Sequence, residues 1–379
     1  MTVMTRRNAL KLMGATAAAA PFAGALPALA AREKELNILC WEGYNSAQVL
    51  DPFRSSRGAT VKAESLTNDP TMINRLRAGE TKVWDLINVN NPWARKAMYP
   101  EGLIKPLAKA EFEPFFETMA PEFKAPYRWA MSDDGKELLG MPQRYGPYSF
   151  VVNTDKISLA TAEEQGWDLF NDPSIKGKYG VLESDDWNVF DVFLVAGLNP
   201  FKPHSDADMA KFADTAKTIF SGAKLVGDIA AMNQALVSGE IDFHFTGGVY
   251  SVSPARADGH PNLRAVTPLK GPIDGKGGVA WIEITSTVNN PALSPLATDF
   301  LKYVQDPKVA HTVAFAEGTF NPVSQMGNKA CFDLFTKEEL DAIQYDTLEA
   351  DMDRCAEYDI VPDYDKALEL MTAAKRAKG

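Results

Sequence analysis

The regular alternation of short apolar runs with segments of helical period is the feature that most constrains the fold. Residues 36–40, 84–89 and 150–153 read as strands, with helices expected near residues 70–79 and 92–98. A strand, a helix and a further strand make a βαβ unit, in which the strands lie parallel and the helices cover the sheet. The second half repeats this rhythm, with strands expected at residues 224–226, 241–245, 263–267 and 279–284. A helix over residues 204–220 puts Met209, Phe212, Ala216, Ile219 and Phe220 on one face, behind Ser205 as N-cap. Helices over residues 295–304, 307–316, 336–342 and 363–378 complete the chain, and Thr336 and Glu339 have capping-box spacing. A chain of 379 residues in this style is expected to form two α/β lobes.

The N-terminus reads as an export signal. Arg6, Arg7 and Lys11 precede a mildly apolar run over residues 12–26, and Ala28-Leu29-Ala30 offers a small-residue cleavage site that leaves Ala31 first. The paired arginines suggest the twin-arginine route, although Ala9 stands where that signal usually carries Phe, so general secretion remains open. Gly14, Pro21, Gly24 and Pro27 interrupt a run too short to span about 30 Å of hydrocarbon. The expected location is therefore the periplasm. Removing the signal takes three of the 39 basic residues and none of the 50 acidic ones, leaving 36 and a net charge of −14. Such a surface argues against nucleic acid and anionic membranes as partners.

Chemistry that needs a local motif has no support. His204, His244, His260 and His311 occupy no H-E-x-x-H or C-x-x-C setting, so no metal is expected. There is no G-x-S-x-G elbow, no Walker loop, and no G-x-G-x-x-G after the first strand, so neither a cofactor nor catalysis is expected. An oxidising compartment permits at most one bridge among Cys40, Cys331 and Cys355, with Cys331–Cys355 the favoured pair, and Cys40 reads as a small core residue.

Several segments in order resemble the extracellular solute-binding proteins of ABC importers, most closely the spermidine/putrescine-binding branch. They are Trp41-Glu42-Gly43-Tyr44, Trp84-Asp85-Leu86-Ile87, Gly102-Leu103-Ile104-Lys105-Pro106-Leu107 and Pro142-Gln143-Arg144-Tyr145-Gly146-Pro147-Tyr148. Trp167-Asp168-Leu169-Phe170, Ile175-Lys176-Gly177-Lys178-Tyr179 and Gly277-Gly278-Val279-Ala280-Trp281-Ile282-Glu283 continue the series. The resemblance implies a type II periplasmic-binding-protein fold, an α/β architecture whose two lobes close on ligand. Crossovers fall near residues 145–149, 281–285 and 320–323. Residues 31–146 with 284–321 would form one lobe, and residues 147–283 with 322–379 the other. The implied partners are a small ligand and the importer's permease subunits, met by a monomeric receptor.

In the polyamine-binding branch, a cleft for putrescine or spermidine needs aromatic faces and carboxylates. By resemblance, Trp41 and Tyr44 follow the first strand, Tyr145 stands at the first crossover, Trp281 and Glu283 mark the second, and Phe320 the third. Phe245 is placed as a further aromatic wall, though its alternation with Phe243 equally suits a half-buried strand. Residues 184–190 match a family loop that carries two acids; here the loop is one residue shorter, with Asp186 and Trp187 as candidates and Asn188 near the second acid. Arg144 is out of place in a diamine cleft. It would pair either with a ligand carboxylate, making the ligand an amino acid or opine held with Glu283, or with an acid of the protein. Ferric iron, for which the usual adjacent tyrosines are lacking, and an exported enzyme are the remaining alternatives.

Overall fold

A computed structural model describes residues 32–66 and 68–377, and the expected export signal lies outside them. Strands β1 (Glu35–Cys40), β2 (Thr60–Ser65) and β3 (Leu86–Asn90) form a parallel wing in the order β2-β1-β3. β3 is buried along its whole length, as a parallel strand covered on both faces must be. Helix α1 (Ala47–Arg57) follows β1: Ser46 starts it by accepting the Val49 N–H, and Gly58 ends it at φ 57°. Helix α2 (Asp69–Arg77) follows β2 and begins at Asn68, whose side chain accepts the Thr71 N–H at 2.7 Å.

Beyond the short β4 (Ile104–Lys105) runs β5 (Met141–Asn153), a strand buried throughout. The second wing is β6 (Tyr179–Leu182), β7 (Leu225–Gly227) and β8 (Phe243–Gly248), again parallel, in the order β8-β6-β7. Helix α3 (Asp185–Val195) follows β6, α4 (Asp206–Gly222) precedes β7, α5 (Ile229–Ser238) follows it, and α6 (Val249–Ala257) follows β8. β9 (Leu263–Val266) lies against β5, β10 (Gly278–Val288) is the second long strand, β11 (Cys355–Glu357) pairs with it, and helix α7 (Tyr364–Arg376) ends the chain.

The two long strands join the wings. β10 is antiparallel to β3 over residues 283–287 and to β5 over residues 279–285, while β5 is antiparallel to β8 over residues 148–152. A third segment crosses beside them, where the Tyr145 N–H donates to the Pro322 carbonyl at 3.2 Å and Arg144 bridges Val323. The buried apolar side chains fall into two clusters, one joining β1 and β3 to α5 and α6 of the second wing, the other containing α3, α4 and α7. This is a mixed α/β fold built from two halves around a central crossing.

Two expectations change. Residues 184–190 are the start of a helix, not a loop, and α3 is buried continuously from Asp186 to Val195. A helix enclosed on every side has no polar stripe and therefore no readable 3.6-residue period. Cys331 and Cys355 are buried thiols with no disulfide between them. The Cys355 Sγ donates to the Asp351 carbonyl at 3.2 Å, and burial raises both thiol pKa values, that of Cys331 to about 12.

Candidate functional site

Both wings turn the carboxyl ends of their parallel strands toward the crossing, which is where open α/β sheets gather ligands. A cavity sits there. Trp41 and Glu42 reach it from the end of β1, Asn90 from the end of β3, Trp187 from the first turn of α3, and Tyr250 from the first turn of α6. Arg144 on β5, Trp281 and Glu283 on β10, and Thr319 and Asn321 on the third crossing complete the wall. The cavity opens to solvent on one side and has a volume of about 40 Å³. That is room for a compact group, since one water needs roughly 10–15 Å³ on this measure. A larger groove adjoins it, lined by Trp41, Glu42, Trp187 and Tyr250 and reaching Asp228.

The rings are held rigidly. Trp187 stacks on Tyr148 with centroids 4.2 Å apart, and Tyr250 meets Trp281 edge to face at 6.3 Å. The Trp41 indole N–H donates to Asp69 Oδ1 at 2.7 Å, which fixes its plane.

Arg144 and Glu283 form a buried bidentate pair, Nε to Oε2 at 3.0 Å and Nη2 to Oε1 at 3.1 Å. A bulge in β5 sets Gln143 and Arg144 together opposite Glu283 of β10. The Tyr44 hydroxyl donates to Glu283 Oε2 at 2.7 Å, the Arg144 guanidinium lies 4.6 Å from the centroid of the Tyr44 ring, and its Nη1 donates to Thr319 at 3.3 Å. Burial opposes the Arg144 charge, but Glu283 and Tyr44 beside it outweigh that and raise its pKa. Burial raises the Glu283 pKa while Arg144 and Tyr44 pull it down. The pair cancels itself, so Glu42, which makes no ion pair among the described residues, supplies the uncompensated charge on the wall.

Five lining residues each hold a buried polar atom without a protein partner: Glu42 Oε2, Asn90 Oδ1, Asn321 Oδ1, Tyr250 Oη and Trp281 Nε1. Buried polar atoms are otherwise nearly always paired, so such a concentration marks a place where a ligand supplies the partners. Network geometry fixes the two amides, because Asn90 Nδ2 donates to Asp69 Oδ2 at 2.8 Å and Asn321 Nδ2 to the Thr319 carbonyl at 3.2 Å.

Behind Trp41 the wings meet at two acids. Asp69 opens α2, and Asp186 in the first turn of α3 accepts the Tyr364 hydroxyl. Burial pushes the Asp69 carboxyl up to about 7 against hydrogen bonds from Asn90 and Trp41, and pushes Asp186 up to about 6.

Of the residues expected from sequence, Trp41, Trp187, Trp281 and Glu283 come together on the cavity wall. Tyr44 stands behind it, bonded to Glu283, and Asp186 lies at the seam. Three do not join them. Tyr145 packs edge-on against Phe123 at 4.8 Å, and Phe245 is buried among Trp167, Phe170 and Tyr179 in the second core. Phe320 rests on Phe315 at 5.1 Å, with its backbone bonded to Ser253. Alternation along β8 turns Phe245 to the core, the other reading its strand allowed. Glu42, Asn90, Tyr250, Thr319 and Asn321 were not singled out; Glu42 stood inside the quoted Trp41–Tyr44 motif. Among the described residues no group of three or more His, Cys, Asp and Glu is placed to hold a metal ion, and no helix is long and apolar enough to cross a membrane.

The family profile described as bacterial extracellular solute-binding protein matches residues 48–327. The chain belongs to that family. Among solved structures, this solute-binding protein resembles a putative spermidine/putrescine ABC transporter protein from Listeria monocytogenes, with TM-score 0.70 and 15% identity over 91% of this chain and 99% of that one. It also resembles the spermidine/putrescine substrate-binding protein PotD of Streptococcus pneumoniae, with TM-score 0.63 and 16% identity over 91% and 100% of the two chains. The binding protein MotA of A. tumefaciens B6, solved with glucopine, gives TM-score 0.59 and 13% identity over 91% and 100%. No curated protein matches. These likenesses establish the two-lobed periplasmic-binding-protein fold.

Proposed function

We propose that this solute-binding protein is the extracytoplasmic receptor of an ABC importer and captures a small cationic amine between its wings. The carrying observation is the charge count on the wall: Arg144 is spent on Glu283, and Glu42 is left as an unpaired carboxylate among three tryptophans and a tyrosine. Aromatic faces and a carboxylate are what an ammonium group requires. Putrescine and spermidine belong to this class, and two of the similar structures carry those names. In this reading residues 31–146 with 284–321 close against residues 147–283 with 322–379, and the closed monomer docks on the permease.

Calorimetry against a panel of mono-, di- and polyamines tests the reading. At least one amine should bind, and Glu42→Gln should weaken it about tenfold or more, as loss of a charge-assisted bond does. No heat with any amine, alongside binding of an amino acid or opine, rejects it. One observation favours that second reading: the hydrogen bonds from Arg144 use one N–H on each of its three nitrogens, leaving N–H groups for a ligand carboxylate.

A further inference from the structure

The unpartnered atoms are unequal in kind. Glu42 Oε2, Asn90 Oδ1 and Asn321 Oδ1 accept hydrogen bonds only, Trp281 Nε1 donates only, and the Tyr250 hydroxyl can do either. Three acceptors on one small cavity match the three N–H groups of a primary ammonium. A quaternary ammonium has none to give and would leave all three bare. The Trp281 indole N–H has the opposite need, and it lies beside Gly146, where a Cβ atom would come within 3.6 Å of it. An acceptor atom on the ligand would satisfy it. A second ammonium offers no acceptor. It would also add positive charge to a wall whose net charge, from Glu42, Glu283 and Arg144, is a single negative unit. Asp228 is too exposed to change this count, since it lies on the outer groove and its carboxylate caps α5 by accepting the Ala231 N–H at 2.8 Å.

Resting on the cationic-amine reading above, we propose that the preferred ligand is a short molecule with one primary ammonium and one uncharged oxygen acceptor, an amino alcohol or amino carbonyl compound, in preference to a diamine or polyamine. The ammonium sits among Glu42, Asn90 and Asn321, the oxygen takes the Trp281 N–H, and the alkyl link lies between the indoles.

Calorimetry with four probes of similar length tests this: 4-amino-1-butanol, butylamine, putrescine and choline. 4-Amino-1-butanol should bind at least about tenfold more tightly than butylamine, the ordinary penalty for stranding a buried donor, and more tightly than putrescine and choline. Trp281→Phe should erase the ratio between 4-amino-1-butanol and butylamine. Because this compares two ligands on one variant, a general loss of affinity does not disturb it. Putrescine or spermidine binding more tightly than the amino alcohol, or a ratio that survives Trp281→Phe, overturns this inference and leaves the cationic-amine reading standing. Silence from every amine overturns both.

Discussion

Glu283 shows how much depends on a single buried charge. Its carboxylate takes two bonds from Arg144 and one from Tyr44 in a setting almost closed to water. Glu283→Ala should strand the guanidinium and lower stability by about 3–5 kcal/mol in urea unfolding. Pairing it with Arg144→Met should recover much of that loss, because two apolar side chains leave no unmatched charge. Recovery in the double variant separates charge stranding from simple loss of packing. The pair also explains what was legible at this scale. Trp41, Trp281 and Glu283 could be read because they stand in recognisable short motifs. Asn90, Tyr250 and Asn321 could not: an asparagine or a tyrosine looks the same whether its polar atom is satisfied, and only the fold reveals that theirs are not.

At the level of elements, local chemistry was most readable where it is self-contained. Ser205 and Asp208 make a capping box at the start of α4, with the Asp208 N–H donating to Ser205 Oγ at 3.2 Å and the Ser205 N–H to Asp208 at 3.0 Å. Ser205→Ala should cost about 1 kcal/mol in a denaturant melt and leave ligand affinity unchanged, since α4 contributes nothing to the cavity wall. The apolar strands β1 and β3 were visible as largely hydrophobic runs, as buried parallel strands leave, and β8 through its alternating Phe243 and Phe245. β2 escaped because Lys62 and Glu64 dilute it at the sheet edge, and α3 escaped because enclosure removes its period. The β5 bulge opposite Glu283 was beyond reach. It shows only where β5 pairs with β10, whose register against β3 stays regular, and no single segment encodes that.

For the molecule as a whole, the seam between the wings carries a pH signature. Asp69 belongs to the first wing and Asp186 to the second; burial, with repulsion from Asp186 adding to it, raises the Asp69 carboxyl to about 7. A carboxyl raised to about 7 in the folded chain adds stability that is whole below its unfolded pKa, about 4, and is lost as pH climbs through 7. The stability advantage of the unaltered protein over Asp69→Asn should therefore shrink by on the order of 2–3 kcal/mol between pH 5 and pH 8, as read from urea midpoints. An advantage that grows with pH would contradict the assignment. Two-lobed architecture was foreseeable from the βα rhythm and the chain length, whereas the meeting of these acids depends on how far the halves have closed.

The cavity wall is divided: one half brings Trp41, Glu42 and Asn90, the other Trp187 and Tyr250, and the backbone crossings run between them. Neither half is a container by itself. A machine that levers them apart would thus discharge the cargo by motion alone, with no bond to cleave and nothing to regenerate before the next catch.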